Sequence, residues 1–180
     1  LRGSSVACTD QDNRYPARHA ARGGLGAVMG SKGIKYMAVD AGGQRARKAV
    51  DAAKFGAMCK KYTRGYLDGP QIFAKGTSAF VPVANQLHSF PNKNRTSGQS
   101  EHVKALDGAR INESFETRGG AMHNCLTGCI VKCSNVVHDR EGKYKTSALE
   151  FETLALLGSN CGIDNWEDVA DLDRLCDDVG

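Results

Sequence analysis

The sequence predicts an α+β chain, and three observations carry that reading. Apolar residues recur at helical spacing from Arg45 to Tyr66, a short β-prone run spans Ile34–Val39, and two helix-start signatures stand at Ser147/Glu150 and Asp164/Glu167. A hydrophobic content of 41% over 180 residues suffices for a packed core, so disorder is not expected. No apolar run reaches the roughly eighteen residues of a membrane span, and no secretory h-region is visible.

Residues 1–33, rich in Gly, Arg and Ala, read as loop leading into the strand Ile34–Val39, which Asp40-Ala41-Gly42-Gly43 closes as a boundary. From Arg45 to about Tyr66, Ala46, Ala49, Val50, Ala53 and Ala57 share one helical face, with Phe55, Met58, Cys59, Tyr62 and Tyr66 as an adjoining stripe. This predicts a buried helix of about six turns. Residues 67–120 hold Pro70, Pro82 and Pro91 among many Gly, Asn and Ser, and are expected to be connecting structure apart from a short helix near Ser78–Leu87. Ser147 with Glu150 forms a capping-box pattern ahead of Leu149, Leu154, Leu156 and Leu157, and Gly158 is a natural stop. Asp164 with Glu167 repeats it before Val169, Leu172, Cys176 and Val179, which would make Cys176 a buried thiol.

The charge balance, 24 basic against 20 acidic residues, falls short of a nucleic-acid footprint. Its distribution says more. Arg14, Arg18, Arg22, Lys32 and Lys35 gather near the start, whereas Asp164–Gly180 carries seven acids and one arginine. The first end suits phosphates and the second does not. The cysteines number seven, an odd count, with Cys125, Cys129 and Cys133 crowded together, so thiolate ligation in a reducing compartment is favoured over a disulfide framework.

The run His123-Asn124-Cys125-Leu126-Thr127-Gly128-Cys129-Ile130-Val131-Lys132-Cys133 has the spacing C-x3-C-x3-C. On a straight helix its outer thiols would lie roughly 12 Å apart along the axis, so the segment must coil or break to bring them to one centre, and Gly128 offers the place. Close thiolates on a loop favour an iron–sulfur cluster over paired zinc knuckles; three thiols packed as small hydrophobes are the plain alternative. The stretch Arg22-Gly23-Gly24-Leu25-Gly26-Ala27-Val28-Met29-Gly30-Ser31-Lys32-Gly33 offers backbone N–H groups and cations to a phosphate, yet matches neither the dinucleotide nor the Walker spacing. Tight structural packing would use the same glycines.

Together these stretches resemble the aldehyde ferredoxin oxidoreductase family. Arg14-Tyr15-Pro16-Ala17-Arg18 with Arg22–Lys32 looks like the segment closing that family's first domain. Phe90-Pro91-Asn92-Lys93-Asn94, the cysteine run, Glu150-Phe151-Glu152-Thr153, Leu157-Gly158-Ser159-Asn160-Cys161-Gly162 and Leu175-Cys176-Asp177-Asp178-Val179-Gly180 follow in family order. The stretch between about Gly43 and Ser89 matches poorly, and the family's cluster spacing is C-x2-C-x3-C, one residue shorter.

The resemblance implies an enzyme that oxidises aldehydes or related substrates to carboxylic acids at a tungsten or molybdenum held by two pterins, passing electrons through a [4Fe–4S] cluster to ferredoxin or a similar carrier. Cys125, Cys129 and Cys133 would be cluster ligands, with the fourth beyond Gly180. Arg22, Gly23 and Gly24 would meet the phosphates and the magnesium that link the pterins, and Asp177 and Gly180 would open a D-x-x-G-L-D pterin-binding motif. Residues 1–43 would end a β-rich pterin-binding domain and residues 44–180 begin a mostly helical one, so the chain, starting at Leu1, is expected to be an internal piece, inactive alone. A cytoplasmic location and no nucleic-acid partner are expected, and a homo-oligomer is left open.

Glu150 and Glu152 resemble the acidic pair near the metal, but residues two apart on a helix face different sides. The capping pattern gives Glu150 a backbone role, which leaves Glu152 the better proton acceptor. His123 could tune the cluster or be an ordinary surface histidine, and the motif puts Cys161 near the pterin. One rival is a zinc module using the cysteine run with His123 or His138 and a basic end for nucleic acid. Another is a degenerate family member serving only electron transfer or as a scaffold.

Overall fold

A computed structural model describes residues 2–10, 14–15, 18–40, 42–44 and 47–180. Strand β1 (Val6–Cys8) pairs antiparallel with β2 (Arg18–Ala20), and helices α1 (Leu25–Ser31) and α2 (Ala52–Leu67) follow. A 3₁₀ turn, Thr77–Phe80, leads into α3 (Val81–Gln86), and α4 (Gly108–Arg118) precedes a meander of β3 (Gly120–His123), β4 (Ser134–His138) and β5 (Tyr144–Ser147). The chain ends in α5 (Phe151–Thr153), a π turn (Leu154–Gly158), a 3₁₀ turn (Ser159–Cys161) and α6 (Trp166–Val179). The α+β class is therefore met. No helix among the described residues is long and apolar enough to cross a membrane.

The core is assembled from residues 81–170. Val81, Phe90, Leu106, Ile111, Val137, Leu149, Leu154 and Val169 are fully buried in one cluster. Each such side chain contributes about 1.5–3 kcal/mol relative to exposure. Buried Asn135 completes the frame: its Nδ2 donates to the Leu149 carbonyl at 2.9 Å and its Oδ1 accepts from the Leu149 N–H at 3.1 Å. This amide acts as an extra ladder rung, and it holds the segment carrying Glu150 beside β4.

Several local expectations are corrected. Ile34–Val39 forms no strand, and Tyr36 and Val39 are 81% and 93% exposed. β-propensity describes fit to a pleated neighbour, and among the described residues none pairs with this run. Helix α2 starts at Ala52, since Arg47–Val50 are not helical, and none of its residues is buried. The periodicity sets which residues share a face, not whether anything covers it. Asp51 starts α2, its Oδ1 accepting from the Lys54 N–H at 2.8 Å. Pro16, Ala17, Ala41, Arg45 and Ala46 lie outside the described residues.

Helix α4 occupies a stretch read as connecting structure. Its start is capped by Asp107, whose Oδ1 accepts from the Ala109 N–H at 3.1 Å, and Ile111 and Phe115 form its inward pair. The short helix near Ser78–Leu87 is present as the turn Thr77–Phe80 followed by α3. The Ser147/Glu150 capping box does not form: Ser147 ends β5, and Glu150 itself stands at the N-cap of α5 without a side-chain cap bond. At α6 the cap is Asn165, accepting from the Glu167 N–H at 3.0 Å, not Asp164. Cys176 is exposed, because its face of α6 turns from the core to a cleft.

Candidate cofactor site at the cysteine loop and the hairpin cleft

The register of β3 against β4 pairs His123 with Ser134, which makes residues 124–133 the loop closing this hairpin. Paired Cα atoms in an antiparallel ladder stand about 4.5–5.5 Å apart. Cys125, two residues past His123, and Cys133, next to Ser134, are thus held at the loop's two feet. The loop is non-helical and turns at Gly128 (φ +86°), so the expected break is realised. All three thiols are free, Cys125 exposed and Cys129 and Cys133 half-buried. Burial pushes the Cys133 thiol pKa up, and the Glu150 carboxylate and the other two thiols push the same way. Among the described residues no three His, Cys, Asp or Glu side chains stand at metal-ligand spacing.

In type, though not in their present spacing, the donors suit an iron–sulfur cluster: three thiols on one loop that carries no acid. The histidines of the zinc alternative are engaged elsewhere. His123 Nε2 lies 3.0 Å from Asp10 Oδ2, and His138 stands at the far end of β4, roughly 13 Å along the strand from Ser134, with its Nδ1 3.3 Å from the Arg118 carbonyl.

Glu150 and Glu152 face different ways, as their spacing requires. Glu150 is half-buried beside the cysteine loop and bonded to Ser134; burial raises its pKa, against the pull of Ser134 and Arg18. The backbone-capping role expected for it is absent. Glu152 is exposed on the rim of an apolar groove formed by Phe80, Val83, Leu87 and Phe151.

A charged network ties the β1–β2 hairpin to this region. Asp10 is buried, and its Oδ2 accepts from Arg18 Nε at 3.3 Å as well as meeting His123. Arg18 Nη1 donates to Ser134 Oγ at 3.2 Å, beside Cys133. On the other side, His19 Nε2 meets Asp177 Oδ1 at 3.1 Å, and the Ser5 N–H donates to the Gly180 carbonyl at 3.1 Å. Between hairpin and α6 lies a cleft of about 690 Å³, lined by Cys8, Arg18, His19, Asp173, Cys176 and Asp177 among others. Asp173 is pushed up to about 7 by burial, against the hydroxyl of Thr146, which donates to its Oδ2 at 2.6 Å. Asp177 is also raised by burial, with His19 and Arg174 pulling it down, and Cys176 is raised by burial and by both aspartates. The cleft has a cationic wall and a carboxyl wall, one carboxyl half-protonated near neutrality.

The glycine stretch divides its labour. A Cβ on Gly24 would stand 2.5 Å from the Arg2 carbonyl oxygen and one on Gly26 2.2 Å from that of Ser5, so these two serve close packing. Arg22 is exposed, and among the described residues no atom lies within 4 Å of where a Gly23 Cβ would stand. Asp177 and Gly180 both line the cleft, whereas Cys161 is exposed, donates to the Leu156 carbonyl at 3.2 Å and does not line it. The places of Asp10, Arg18 and His19 were not legible: each has a partner over a hundred positions away, in His123, Ser134 and Asp177, and only the basic cluster around Arg18 hinted at them.

The family model for aldehyde ferredoxin oxidoreductase, domains 2 and 3, matches residues 57–180. A tungsten-containing aldehyde ferredoxin oxidoreductase of Pyrococcus furiosus is 29% identical over 168 residues, covering 91% of this chain and 26% of the relative. Its counterpart in Thermococcus kodakarensis is 28% identical over 167 residues, with the same coverages. The WOR-like subunit of an aliphatic sulfonate oxidoreductase of Pyrococcus furiosus is 30% identical over 168 residues, covering 90% of this chain and 26% of that subunit. The chain thus spans about a quarter of the length of the relatives it matches. With most of its length under the family model, the chain belongs to the aldehyde ferredoxin oxidoreductase family.

Proposed function

We propose that this chain is part of an oxidoreductase that converts aldehydes or related substrates to carboxylic acids and delivers the electrons to ferredoxin or a similar carrier. The observation that carries this reading is the β3–β4 hairpin, whose register holds Cys125 and Cys133 at the feet of one loop with Cys129 between them. The names of the relatives add tungsten, and the 30% identity to a sulfonate oxidoreductase subunit widens the substrate class beyond aldehydes.

In this reading Cys125, Cys129 and Cys133 would hold three corners of a [4Fe–4S] cluster, its fourth ligand coming from outside residues 1–180. A tungsten or molybdenum bis-pterin centre and the cluster supply the redox chemistry when bound. The chain's own part is positioning and proton handling. Arg22 and the turn at Gly23, with the tightly packed Gly24 beside it, would face the pterin phosphates and their magnesium, using a cation and backbone N–H groups. Asp177 and Gly180, at the carboxyl side of the cleft, would take the heterocycle's N–H donors. Glu152 would accept the substrate proton, while Glu150, bonded to Ser134, would stand beside the cysteine loop. Residues 1–43 and 44–180 would belong to two successive domains, the first binding pterin and the second, mostly helical, binding both cluster and pterin.

Metal analysis of the anaerobically purified protein tests this. Iron with tungsten or molybdenum, and a visible absorption bleached by dithionite, are expected, and serine at Cys125, Cys129 or Cys133 should each lower the iron content. Stoichiometric zinc in a colourless protein would overturn the reading, and iron without tungsten or molybdenum would assign it to electron transfer alone.

A further inference from the structure

The base of the cysteine loop is braced from outside its own sheet. His123 and Ser134 face each other as the last pair of β3 and β4 before the loop. His123 Nε2 lies 3.0 Å from Asp10 Oδ2, the same oxygen accepts from Arg18 Nε at 3.3 Å, and Arg18 Nη1 donates to Ser134 Oγ at 3.2 Å. These contacts close a circuit that runs from His123 through Asp10 and Arg18 to Ser134 and back across the ladder. The side chains of Asp10, Arg18 and His123 are only 3%, 19% and 15% exposed, and Ser134 is fully buried. The circuit is thus internal to the fold, and exclusion of water strengthens its bonds.

Both outer members of the circuit are themselves held. Arg18 is fixed by the β1–β2 register. Asp10 is fixed by its turn: its N–H donates to the Tyr15 carbonyl at 3.0 Å, and the Tyr15 ring stacks on Tyr144 of β5 with centroids 3.7 Å apart. The ladder sets how far apart the feet of the loop stand, and the circuit sets where they stand against β2. Cys133 adjoins Ser134 in the chain, and Cys125 is two residues past His123. A loop whose base is held has fewer conformations to lose when its thiols close on one centre. Because Arg18 also lines the cleft beside α6, the same brace fixes the loop against that cleft.

We propose that Asp10 and Arg18 are positioning residues of the cysteine loop, holding its His123–Ser134 base so that Cys125, Cys129 and Cys133 retain a common iron–sulfur centre. The proposal rests on the cluster reading above and adds to it two residues that stand 113 and 116 positions before their partners at the loop's feet.

The test uses the full-length holoenzyme, purified anaerobically. Asp10→Asn keeps the shape and removes the charge, and Ser134→Ala opens the circuit at the other foot. Each should release iron to a fixed excess of bathophenanthroline disulfonate about tenfold faster than the parent, followed as the decay of the cluster's visible absorption. Asp10→Asn should also raise the cluster's midpoint potential in a redox titration monitored by electron paramagnetic resonance, because reduction adds negative charge that the Asp10 carboxylate disfavours. Ser134→Ala removes no charge and should leave that potential at the parent value. Val169→Ala truncates a fully buried side chain on α6 and is the control for stability alone, so it should keep its iron as the parent does. A parent that holds no cluster iron sinks the cluster reading itself. If the parent holds iron and both circuit variants match its release rate and potential, the brace alone is refuted. Release from Val169→Ala as fast as from Asp10→Asn refutes it too, since general loosening of the fold would then explain the loss.

Discussion

Residues 76–170 and residues 2–67 are held by different forces. The first region supplies every fully buried apolar side chain, from Val81 to Ala170, whereas among the described residues before Gly76 the one buried residue is a carboxylate, Asp10. Residues 76–170 therefore fold by removing apolar area from water, and residues 2–67 are fastened by directional contacts: Asp10 to Arg18 and His123, His19 to Asp177, and the Ser5 N–H to the Gly180 carbonyl. The difference teaches where a site can be built. The rigid half presents the cysteine loop and Glu150, and the polar fastening leaves a cleft between the hairpin and α6 that a ligand can enter.

Four substitutions probe that contrast. Phe90→Ala, at a fully buried ring tilted against Phe151, should destabilise the protein by about 3–5 kcal/mol in chemical denaturation. A much smaller loss would mean that the core is looser than its burial implies. Asp10→Ala leaves Arg18 and His123 without their shared carboxylate and should cost about 2–3 kcal/mol. The loss should be local, so amide exchange should quicken in β1 and β2 while the amides of β4 keep their protection. Equal quickening in both would dissolve the distinction.

Asp173 sharpens it through pH. Its carboxyl titrates at about 7 in the fold against an ordinary 3.8, so the folded state prefers the neutral form. The favourable contribution is complete below about pH 4 and is lost as the pH rises to about 7. Asp173→Asn stays neutral, and should exceed the parent in stability by about 1–2 kcal/mol at pH 8, allowing for partial screening, with no difference at pH 4. A constant difference across that window would assign the effect to packing. Phe55→Ala, 55% exposed on α2, should move stability by less than about 0.5 kcal/mol.

The elements differ in how far they could be read from residues alone. Helix α6 was legible because Asx residues at its start and apolar residues at helical spacing act within one or two turns; its cap moved by one because Asp164 and Asn165 are equally good acceptors. The cysteine loop was legible because a straight helix cannot bring thiols eight residues apart to one centre. Strand β4, Ser134–His138, was hidden: four of its five residues are buried, two of them polar, so no alternation marks it. Helix α4 was masked by its composition, since small Gly108 and Ser114 share its buried face with Ile111. The site network was out of reach, because Arg18 and Ser134 are separated by 116 positions.

Residue order alone determined the family, the break at Gly128, the clustering of three thiols and the opposition of Glu150 to Glu152, all of which follow from chain geometry within a few residues. Only the tertiary structure decided that Asp10 is buried, that Cys176 faces a cleft and that Glu150 stands beside Cys133. Those outcomes depend on which distant surfaces exclude water from one another, and no local spacing encodes that sum.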